Sequence, residues 1–428
     1  MSEWKKVKLG EVTEYITDGD HQPAPKSEQG VYFIKIKDII NNRISFDNAL
    51  HVPSEYYAKL KNNRKAVKGD VLYTVVGSYG TATYVNTELP FCFERNIALL
   101  HANQEINSYF LYLLMSCESF YKKADALANG AAQKLISLKK LQTIEIEIPP
   151  LATQHRIATI LSRYDSLIEN YQKQIKLLEE AAQRLYKEWF VDLHFPGHEN
   201  TNIVDGLPEG WEKKKISDVC TMIGAGSTPS RRNNAYWDDG NIRWVKTKEL
   251  LDNWIFDTEE YITEEGLNNS STKMFPVNTI LMAIYASPTL GRLGILAQEC
   301  CCNQAALGLV ANEKLISWVW LYLKLFELRD EFNAVARGAG QQNISGVVVK
   351  NWEITVPNKK TIEDFAKMAK PYFENAKSLQ SQLRLLTEAR DRLLPKLMSG
   401  ELTLEARAEK EDLLATPCKR GWEEDEAK

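Results

Sequence analysis

Apolar residues recur along residues 153–189 at alternating intervals of four and three positions. The stripe consists of Ile157, Leu161, Tyr164, Ile168, Tyr171, Ile175, Leu178, Ala182, Leu185 and Trp189. This spacing turns one face of a helix toward a partner helix, as in a coiled coil. About 35 helical residues would span roughly 50 Å at about 1.5 Å per residue. The pattern therefore predicts a long helix that requires a partner.

A second stripe with the same spacing lies near the C-terminal end of the sequence. It consists of Phe365, Ala369, Tyr372, Ala376, Leu379, Leu383, Leu386, Leu393 and Leu397, with Arg390 as its one polar member. Every position in the second stripe equals a position in the first plus 208. The chain is therefore interpreted as a tandem duplication whose two long helices pack on each other.

The segments that precede the two helices also correspond. Glu145-Ile146-Glu147-Ile148-Pro149 matches Glu353-Ile354-Thr355-Val356-Pro357 at the same offset. Short β-like runs, for example 32–36 and 71–76, and a helical stretch at 108–123 have counterparts in the second half. A further helix-like stretch is predicted at 9–16.

These patterns predict an α+β fold with two globular domains in tandem, separated by two long antiparallel coiled-coil helices with internal pseudo-twofold symmetry. Antiparallel pairing would place the two domains at opposite ends of a rod. The predicted boundaries are 1–150 for the N-terminal domain, 151–195 for the central helix, 196–358 for the C-terminal domain, 359–405 for the second helix and 406–428 for an acidic flexible tail.

Composition excludes a generally basic nucleic-acid binder. The net charge of the 428 residues is −4, and residues 405–428 carry eight acidic against five basic side chains. Any nucleic-acid surface is therefore expected to be a local patch, or to be shared with a partner. The seven cysteines include no CxxC pair, which argues against zinc and favours a reducing compartment. The absence of an apolar signal region or an 18-residue apolar span predicts a cytoplasmic protein.

No catalytic motif is present in the sequence. The phosphate-binding GxxxxGK[ST], a GxGxxG between strand and helix, GxSxG and HExxH are all missing. Gly224-Ala225-Gly226 is predicted to be a turn. His194 and His198 flank Pro196-Gly197 and cannot share a helical face. We therefore predict a binding protein with no catalytic residue, no metal site and no bound cofactor.

Polar loops with basic and amide side chains occur at equivalent places in both halves. In the first half they contain His21, Gln22, Lys35, Lys37, Ser78, Tyr79, Arg95, Asn96, Gln133 and Lys134. In the second half they contain Ser227, Thr228, Arg231, Arg232, Asn233, Lys246, Lys248, Ser287, Arg292, Asn303, Gln304, Gln341, Gln342 and Asn343. Arg, Lys, Asn and Gln match the donors and acceptors of base edges and phosphates. Two such clusters on a duplicated scaffold suit two half-sites on a DNA duplex, so these residues are predicted to bind DNA.

Several stretches resemble the specificity subunit of type I restriction–modification systems, over essentially the whole chain. They are Ile148-Pro149-Pro150-Leu151-Ala152-Thr153-Gln154-His155-Arg156-Ile157, Leu185-Tyr186-Lys187-Glu188-Trp189-Phe190, Leu207-Pro208-Glu209-Gly210-Trp211, Gly338-Ala339-Gly340-Gln341-Gln342-Asn343-Ile344-Ser345 and residues 392–402. Each stretch is short, but their order and their duplication are specific.

The resemblance implies that each globular domain is a target-recognition domain for one half of a bipartite double-stranded DNA sequence. It implies that the paired helices fix the spacer and, through the two stripes, dock two modification (methyltransferase) subunits. Restriction subunits would join through the modification subunits. S-adenosylmethionine, ATP and Mg are then expected on these partner subunits.

Two alternatives of other classes remain at this point. A self-sufficient DNA methyltransferase or nuclease would show activity as the purified chain alone. A coiled-coil scaffold without a DNA role would bind all duplexes equally, with or without a methyltransferase partner.

Overall fold

The structure is a computed structural model that describes residues 4–21, 23–77, 79–130, 134–285, 289–338 and 343–402. In the N-terminal repeat the strands are β1 (Lys5–Lys8), β2 (Thr13–Asp18), β3 (Val31–Ile34), β4 (Ile39–Ile40), β5 (Arg43–Ile44), β6 (Leu50–Val52), β7 (Val71–Thr74), β8 (Ala82–Tyr84), β9 (Phe91–Phe93), β10 (Ile97–Ala102) and β11 (Glu145–Ile148). Its helices are α1 (Ser54–Lys59), α2 (Ser108–Ser116), α3 (Glu118–Leu127) and α4 (Leu138–Gln142).

The first long helix, α5 (Leu151–Tyr186), follows and continues into a π-helical turn at Lys187–Val191. The strands of the C-terminal repeat are β12 (Ile203–Val204), β13 (Leu207–Pro208), β14 (Glu212–Lys215), β15 (Cys220–Ala225), β16 (Ile242–Val245), β17 (Asn253–Ile255), β18 (Glu260–Ile262), β19 (Ile280–Ala283), β20 (Leu293–Leu296), β21 (Cys301–Cys302), β22 (Ala306–Ala311) and β23 (Glu353–Val356). Its helices are α6 (Glu264–Asn268), α7 (Trp318–Glu327), α8 (Arg329–Gly338), α9 (Gly346–Asn351) and the second long helix α10 (Lys359–Met398).

Sheet topology repeats between the two halves. The N-terminal repeat has one antiparallel sheet of order β2-β10-β7-β8 and one mixed sheet of order β6-β3-β9, and β1 pairs with β11. In the C-terminal repeat the corresponding orders are β15-β22-β19-β20-β17 and β18-β16-β21, and β14 pairs with β23. In both three-stranded sheets the central strand pairs antiparallel on one side and parallel on the other. The five-stranded sheet differs from its four-stranded counterpart by the added edge strand β17, which pairs parallel with β20. The predicted duplicated α+β fold with two long helices is confirmed.

Three local predictions were wrong. The stretch at 9–16 is a single 3-10 turn, Leu9–Glu11, followed by β2. In β2 the pairing with β10 outweighs the helix-like spacing of Leu9, Val12 and Ile16. The helix predicted at 108–123 is divided into α2 and α3, because Cys117 is extended (φ −75°, ψ 145°). Gly224 and Ala225 end strand β15 rather than forming a turn, because they pair with Gly308 and Leu307 of β22.

The chain forms two compact units, each of which contains part of both long helices. One unit comprises the described residues of Met1–Ser166 and Thr387–Lys428, and the other comprises Leu167–Leu386. We call them unit 1 and unit 2. The globular part of unit 1 is the N-terminal repeat, and that of unit 2 is the C-terminal repeat.

In unit 1 the beginning of α5 packs against the end of α10. Leu161 is fully buried and belongs to the same core cluster as Ile157 and Leu397. Further along α5 and further back along α10, Arg390 Nη1 lies 2.9 Å from Asp165 Oδ1. The two helices therefore run antiparallel within this unit.

In unit 2 the end of α5 packs against the beginning of α10. The Phe365 ring lies 6.2 Å from Tyr186 and 5.7 Å from Trp189, measured between ring centroids. Ala182 and Ala376 line a common cavity of about 200 Å³. Pairing is therefore antiparallel in this unit too.

Within the part of the chain that the structure describes, no helix has the length and apolarity needed to cross a membrane.

Candidate nucleic-acid interface

In unit 1 the main chain brings the predicted DNA-binding loops to one place. Asp20 and Glu94 form an isolated bridge, which joins the loop after β2 to the end of β9. The backbone N–H of Ile36 donates to Glu94 Oε1 at 2.7 Å, so the turn containing Lys35 and Lys37 adjoins them.

The remaining loops of unit 1 join the same cluster. Val75 N–H donates to the Asn96 carbonyl at 2.9 Å, and Ile136 N–H donates to the Val75 carbonyl at 3.2 Å. Four described loops therefore converge, at residues 20–21, 35–37, 94–96 and 134–136, beside the end of β7.

Unit 2 assembles equivalent loops in the same way. Ser227 N–H donates to the Cys302 carbonyl at 2.9 Å, and Asn303 N–H donates to the Val245 carbonyl at 3.0 Å. Tyr285 and Asn343 form an isolated bridge next to the end of β19. The side chain of Thr228 donates to Gln304 Oε1 at 2.5 Å, which ties two of the predicted residues together.

In each loop cluster, a glycine lets the loop backbone lie very close to the backbone of a neighbouring strand. A Cβ on Gly19 would lie 2.0 Å from the carbonyl oxygen of Phe93, and a Cβ on Gly226 would lie 2.0 Å from that of Cys302. Real Cβ atoms do not come this close to backbone oxygen, so both positions require glycine. In both repeats, a glycine therefore allows the loop after β2 or β15 to pack closely against the neighbouring sheet.

Many of the predicted cations already contact carboxylates. The pairs are Lys37–Asp38 (2.9 Å), Lys134–Asp125 (2.5 Å), Lys246–Glu260 (2.6 Å), Lys248–Glu259 (2.5 Å) and Arg231–Glu260. The ring of His21, another predicted residue, is hydrogen-bonded to Asp18 at 2.9 Å between Nε2 and Oδ2. The hydrogen bond to Glu260 raises the pKa of Lys246, so this ammonium stays charged. These ion pairs fix the directions of the cationic groups.

Four predicted cations differ from this set. In the described part of the chain, no carboxylate lies within salt-bridge distance of the side chains of Lys35, Arg95, Arg232 and Arg292. Arg95 and Arg232 are exposed, and the other two are half-buried. A DNA phosphate would reach these four cations without breaking an ion pair among the described residues.

The other predicted polar residues have individual roles or fall outside the described residues. Asn233 caps the turn Asn234–Tyr236 through Ala235 N–H. Tyr79 packs its ring against Tyr73 and Tyr121. The Asn303 Oδ1 atom is buried and has no hydrogen-bond partner among the described atoms. Gln22, Ser78, Gln133, Ser287, Gln341 and Gln342 lie outside the described residues. The DNA-binding roles remain predictions.

None of the predicted helix-stripe residues is exposed. Ile157, Leu161, Ile168, Ile175, Trp189, Phe365 and Leu397 are buried, and Tyr164, Tyr171, Leu178, Leu185, Tyr372, Leu379, Leu383, Leu386 and Leu393 are half-buried. Large apolar side chains outside the stripe are exposed instead, among them Leu177 (63% exposed) and its counterpart Leu385 (55%). The division of the stripe between helix pairing and partner binding stays a prediction.

Sequence reasoning missed the aromatic and acidic residues that hold Arg231. The Arg231 guanidinium lies over the rings of Trp237 and Trp244, and its carboxylate partner is Glu260. The ten tryptophans of the chain indicated aromatic anchors in general. No spacing rule, however, links residue 231 to residues 244 and 260, because the contacts depend on the pairing of β16 with β18.

Within the described ranges, no group of three or more His, Cys, Asp or Glu side chains is arranged to hold a metal ion. His194 and His198 do come together, with ring centroids 5.3 Å apart, although they do not share a helix. His198 Nδ1 is engaged with the carbonyl of Phe195 at 2.9 Å.

Comparisons with known proteins agree with one another. The family model described as "Type I restriction modification DNA specificity domain" matches residues 1–180 and 208–384. The chain is 26% identical over 415 residues to the specificity subunit of the type I restriction enzyme MjaIX of Methanocaldococcus jannaschii, covering 94% of this chain and 93% of that protein. It is 24% identical to the specificity subunit of the type I restriction enzyme HindI of Haemophilus influenzae, covering 94% of this chain and all of that protein (100%).

A solved structure has a similar fold. The S subunit of a type I restriction–modification system from M. genitalium superposes with a TM-score of 0.64 at 15% identity, covering 92% of this chain and 96% of that chain.

Proposed function

The chain belongs to the family of type I restriction–modification DNA specificity subunits, and on that premise we propose how its two repeats divide the recognition of DNA. Each repeat reads one half of a bipartite double-stranded sequence through its converging loops. The chain itself performs no chemistry and binds no cofactor.

The observation that carries this proposal is the repeated convergence of loops. The same strand ends meet in both units, at Asp20 and Glu94 in unit 1 and at Ser227 and Cys302 in unit 2. The polar side chains on these loops differ between the units, whereas the strand order β2-β10-β7-β8 has its equivalent in β15-β22-β19-β20. Two loop sets of different sequence on one duplicated scaffold suit a target with two different halves.

The charge of the chain supports a shared interface with DNA. A net charge of −4 is unusual for a protein that neutralises many phosphates alone. Only a few of the predicted cations, such as Arg95 and Arg232, are free of carboxylates in the described residues. We propose that two modification subunits bind along the helices and contribute phosphate contacts, and that restriction subunits join through them. S-adenosylmethionine, ATP and Mg belong to those partners.

We also propose that α5 and α10 set the spacer between the half-sites. Each of these helices contributes residues to both compact units, since the unit boundaries fall at Ser166–Leu167 and at Leu386–Thr387. A continuous helix is stiff, so its length controls how far apart the two recognition parts bind.

The decisive experiment is methylome sequencing of a host that carries this chain and its modification partner. The expected result is one bipartite, asymmetric adenine-methylation motif, and a methylome without such a motif overturns the proposal. Exchange of residues 1–150 for those of another family member is expected to change one half-site only.

The spacer is tested separately. Four helical residues inserted after Tyr171, together with four after its counterpart Leu379, keep the two helices matched and are expected to lengthen the spacer while both half-sites stay the same. An unchanged spacer would show that the helices do not set it.

A further inference from the structure

The loop between β15 and β16 is held by two indole groups. Trp244 Nε1 donates to the Ser227 carbonyl at 2.9 Å, and Trp237 Nε1 donates to the Ser230 carbonyl at 3.3 Å. The two rings stand edge to face, with centroids 5.1 Å apart. The loop therefore has a defined shape at the residue that precedes Arg231.

Arg231 is fixed by three neighbours. Its guanidinium carbon lies 3.5 Å from the centroid of the Trp237 ring and 5.0 Å from that of Trp244, and Nη2 donates to Glu260. Glu260 also accepts a hydrogen bond from Lys246 Nζ at 2.6 Å. Burial alone would raise the pKa of Glu260, but these two hydrogen bonds outweigh it and lower the pKa, so the carboxylate stays charged.

The fixed guanidinium is still available to a ligand. The Arg231 side chain is 51% exposed, and only one of its N–H groups is used in the contact with Glu260. A planar fork that is already oriented loses little rotamer freedom on binding, so it favours a ligand with two acceptors at fixed positions. The O6 and N7 atoms of guanine are two such acceptors, and arginine to guanine is the commonest specific contact to a base edge. A phosphate also accepts two hydrogen bonds from a guanidinium, so the tests below separate the two ligands by their dependence on the base.

Among the described residues of unit 1, the equivalent place has no such arrangement of arginine, tryptophan and glutamate. Trp244 pairs with Glu260 in the register of β16 and β18, and the equivalent pair in β3 and β6 is Phe33 with Leu50. The arginine, its ring and its carboxylate therefore distinguish one recognition part from the other. A contact that reads one particular base is expected to occur in one repeat and not in the other.

We propose that Arg231 is a specificity-determining residue that reads a guanine in the half-site bound by the C-terminal repeat, with Trp237 and Glu260 as positioning residues. This inference rests on the proposed function, since it assigns a base to the loops of unit 2.

The first test compares methylomes of wild type, Arg231→Lys and Glu260→Gln, each with the modification partner. Wild type is expected to require a guanine in the half-site of the C-terminal repeat. Arg231→Lys keeps the charge but loses the fork, so methylation of sites with another base at that position should rise about tenfold relative to guanine sites. Glu260→Gln should relax the same position less. The half-site of the N-terminal repeat is the internal control and should be unchanged.

The second test probes the N7 atom directly in a binding assay with the complex of this chain and its modification partner. Replacing the guanine by 7-deazaguanine should weaken binding of wild type about tenfold. The same replacement should have a smaller effect on binding by Arg231→Lys, because the ammonium lacks the planar fork that aligns with O6 and N7 together. Thermal unfolding of each variant shows whether it still folds. If Arg231→Lys is unstable, Trp237→Phe, which keeps an aromatic ring, replaces it as the test variant.

Three results would overturn the inference and leave the proposed function intact. They are a bipartite motif without guanine in that half-site, an unchanged motif in Arg231→Lys, and an equal loss of methylation at all sites, which marks a phosphate contact. A wild-type methylome without any bipartite motif would instead overturn the proposed function, and the inference with it.

Discussion

Arg390 of α10 and Asp165 of α5 form an ion pair, 2.9 Å between Nη1 and Oδ1, at a place where the other repeat is apolar. Their counterparts 208 residues away are Ala182 and Phe373, which belong to one buried cluster and line the same cavity. The one polar member of the second stripe thus has a specific partner. Asp165 also accepts a hydrogen bond from the Tyr109 hydroxyl at 2.5 Å, and burial raises the pKa of that hydroxyl, so it remains a donor.

We expect Arg390→Leu to destabilise unit 1 by about 2 kcal/mol, because Asp165 would keep its charge in a half-buried place without its ion-pair partner. The double variant Asp165→Asn/Arg390→Leu should recover most of this loss, since asparagine still accepts from Tyr109. Urea unfolding measures both. Arg392→Leu is the matched control, because the Arg392 side chain is 78% exposed and forms an ion pair with Glu388 on the same helix. Equal losses from Arg390→Leu and Arg392→Leu would contradict the prediction.

Gln154 joins the start of α5 to the loop before α2. Its Oε1 accepts from Asn107 N–H at 2.8 Å, and its Nε2 donates to the Pro149 carbonyl at 2.9 Å. The side chain is 1% exposed, and the equivalent residue in the second repeat is the apolar Ile362.

We expect Gln154→Ile to cost about 2 kcal/mol, because the buried backbone groups would lose their partners. Hydrogen exchange at the Asn107 amide should become faster in the variant. Gln174→Leu removes an exposed glutamine from the same helix and should change neither quantity. A Gln154→Ile variant with wild-type stability and exchange would show that these hydrogen bonds are not needed.

Glu179 makes the helix–sheet contact of unit 2 sensitive to pH. It lines the same cavity as Trp254, Tyr322 and Asp252, and burial together with the Asp252 charge raises its pKa from 4.5 to about 7. An acid whose pKa is raised in the folded state favours folding when protonated. Its contribution is therefore full below about 4.5 and is lost as the pH rises to about 7.

Glu179→Gln is expected to raise the melting temperature at pH 8 and to change it little at pH 4.5. The neighbouring Glu180→Gln serves as the control, because Glu180 lies beside the cations Lys176 and Arg184 rather than in the cavity. The same gain from Glu179→Gln at both pH values would show that its ionisation does not oppose folding.

Substitutions of Gly19 and Gly226 provide a matched test of the two converging loop clusters that are proposed to read DNA. Alanine at either position would push its loop away from the neighbouring strand, since the added Cβ would lie 2.0 Å from a carbonyl oxygen. Methylation assays on substrates with single base changes measure the effect. Gly19→Ala should reduce discrimination in the half-site of the N-terminal repeat, and Gly226→Ala should do so in the other half-site. An effect of either variant on both half-sites alike would contradict the separation of the two loop clusters.

The helices and the duplication were predictable because they depend on spacing within one stretch of chain. A 4-3 stripe specifies which face of α5 is buried, whatever that face contacts. The wrong predictions concern stretches whose structure does not follow from the spacing of apolar residues within them. The stretch that begins at Leu9 has apolar residues at helix-like intervals, yet strand pairing between β2 and β10 decided its structure. Cys117 interrupts a run that is otherwise favourable for a helix.

The sequence by itself determined the architecture of this protein: two copies of one α+β unit, two long helices and two sets of polar loops. It did so because apolar periodicity and a constant offset of 208 are properties of the chain alone. Only the tertiary structure decided which cations are held by carboxylates, and that Arg231 rests on Trp237 beside Glu260. These relationships depend on strand register between distant segments, which the order of residues in one segment does not encode.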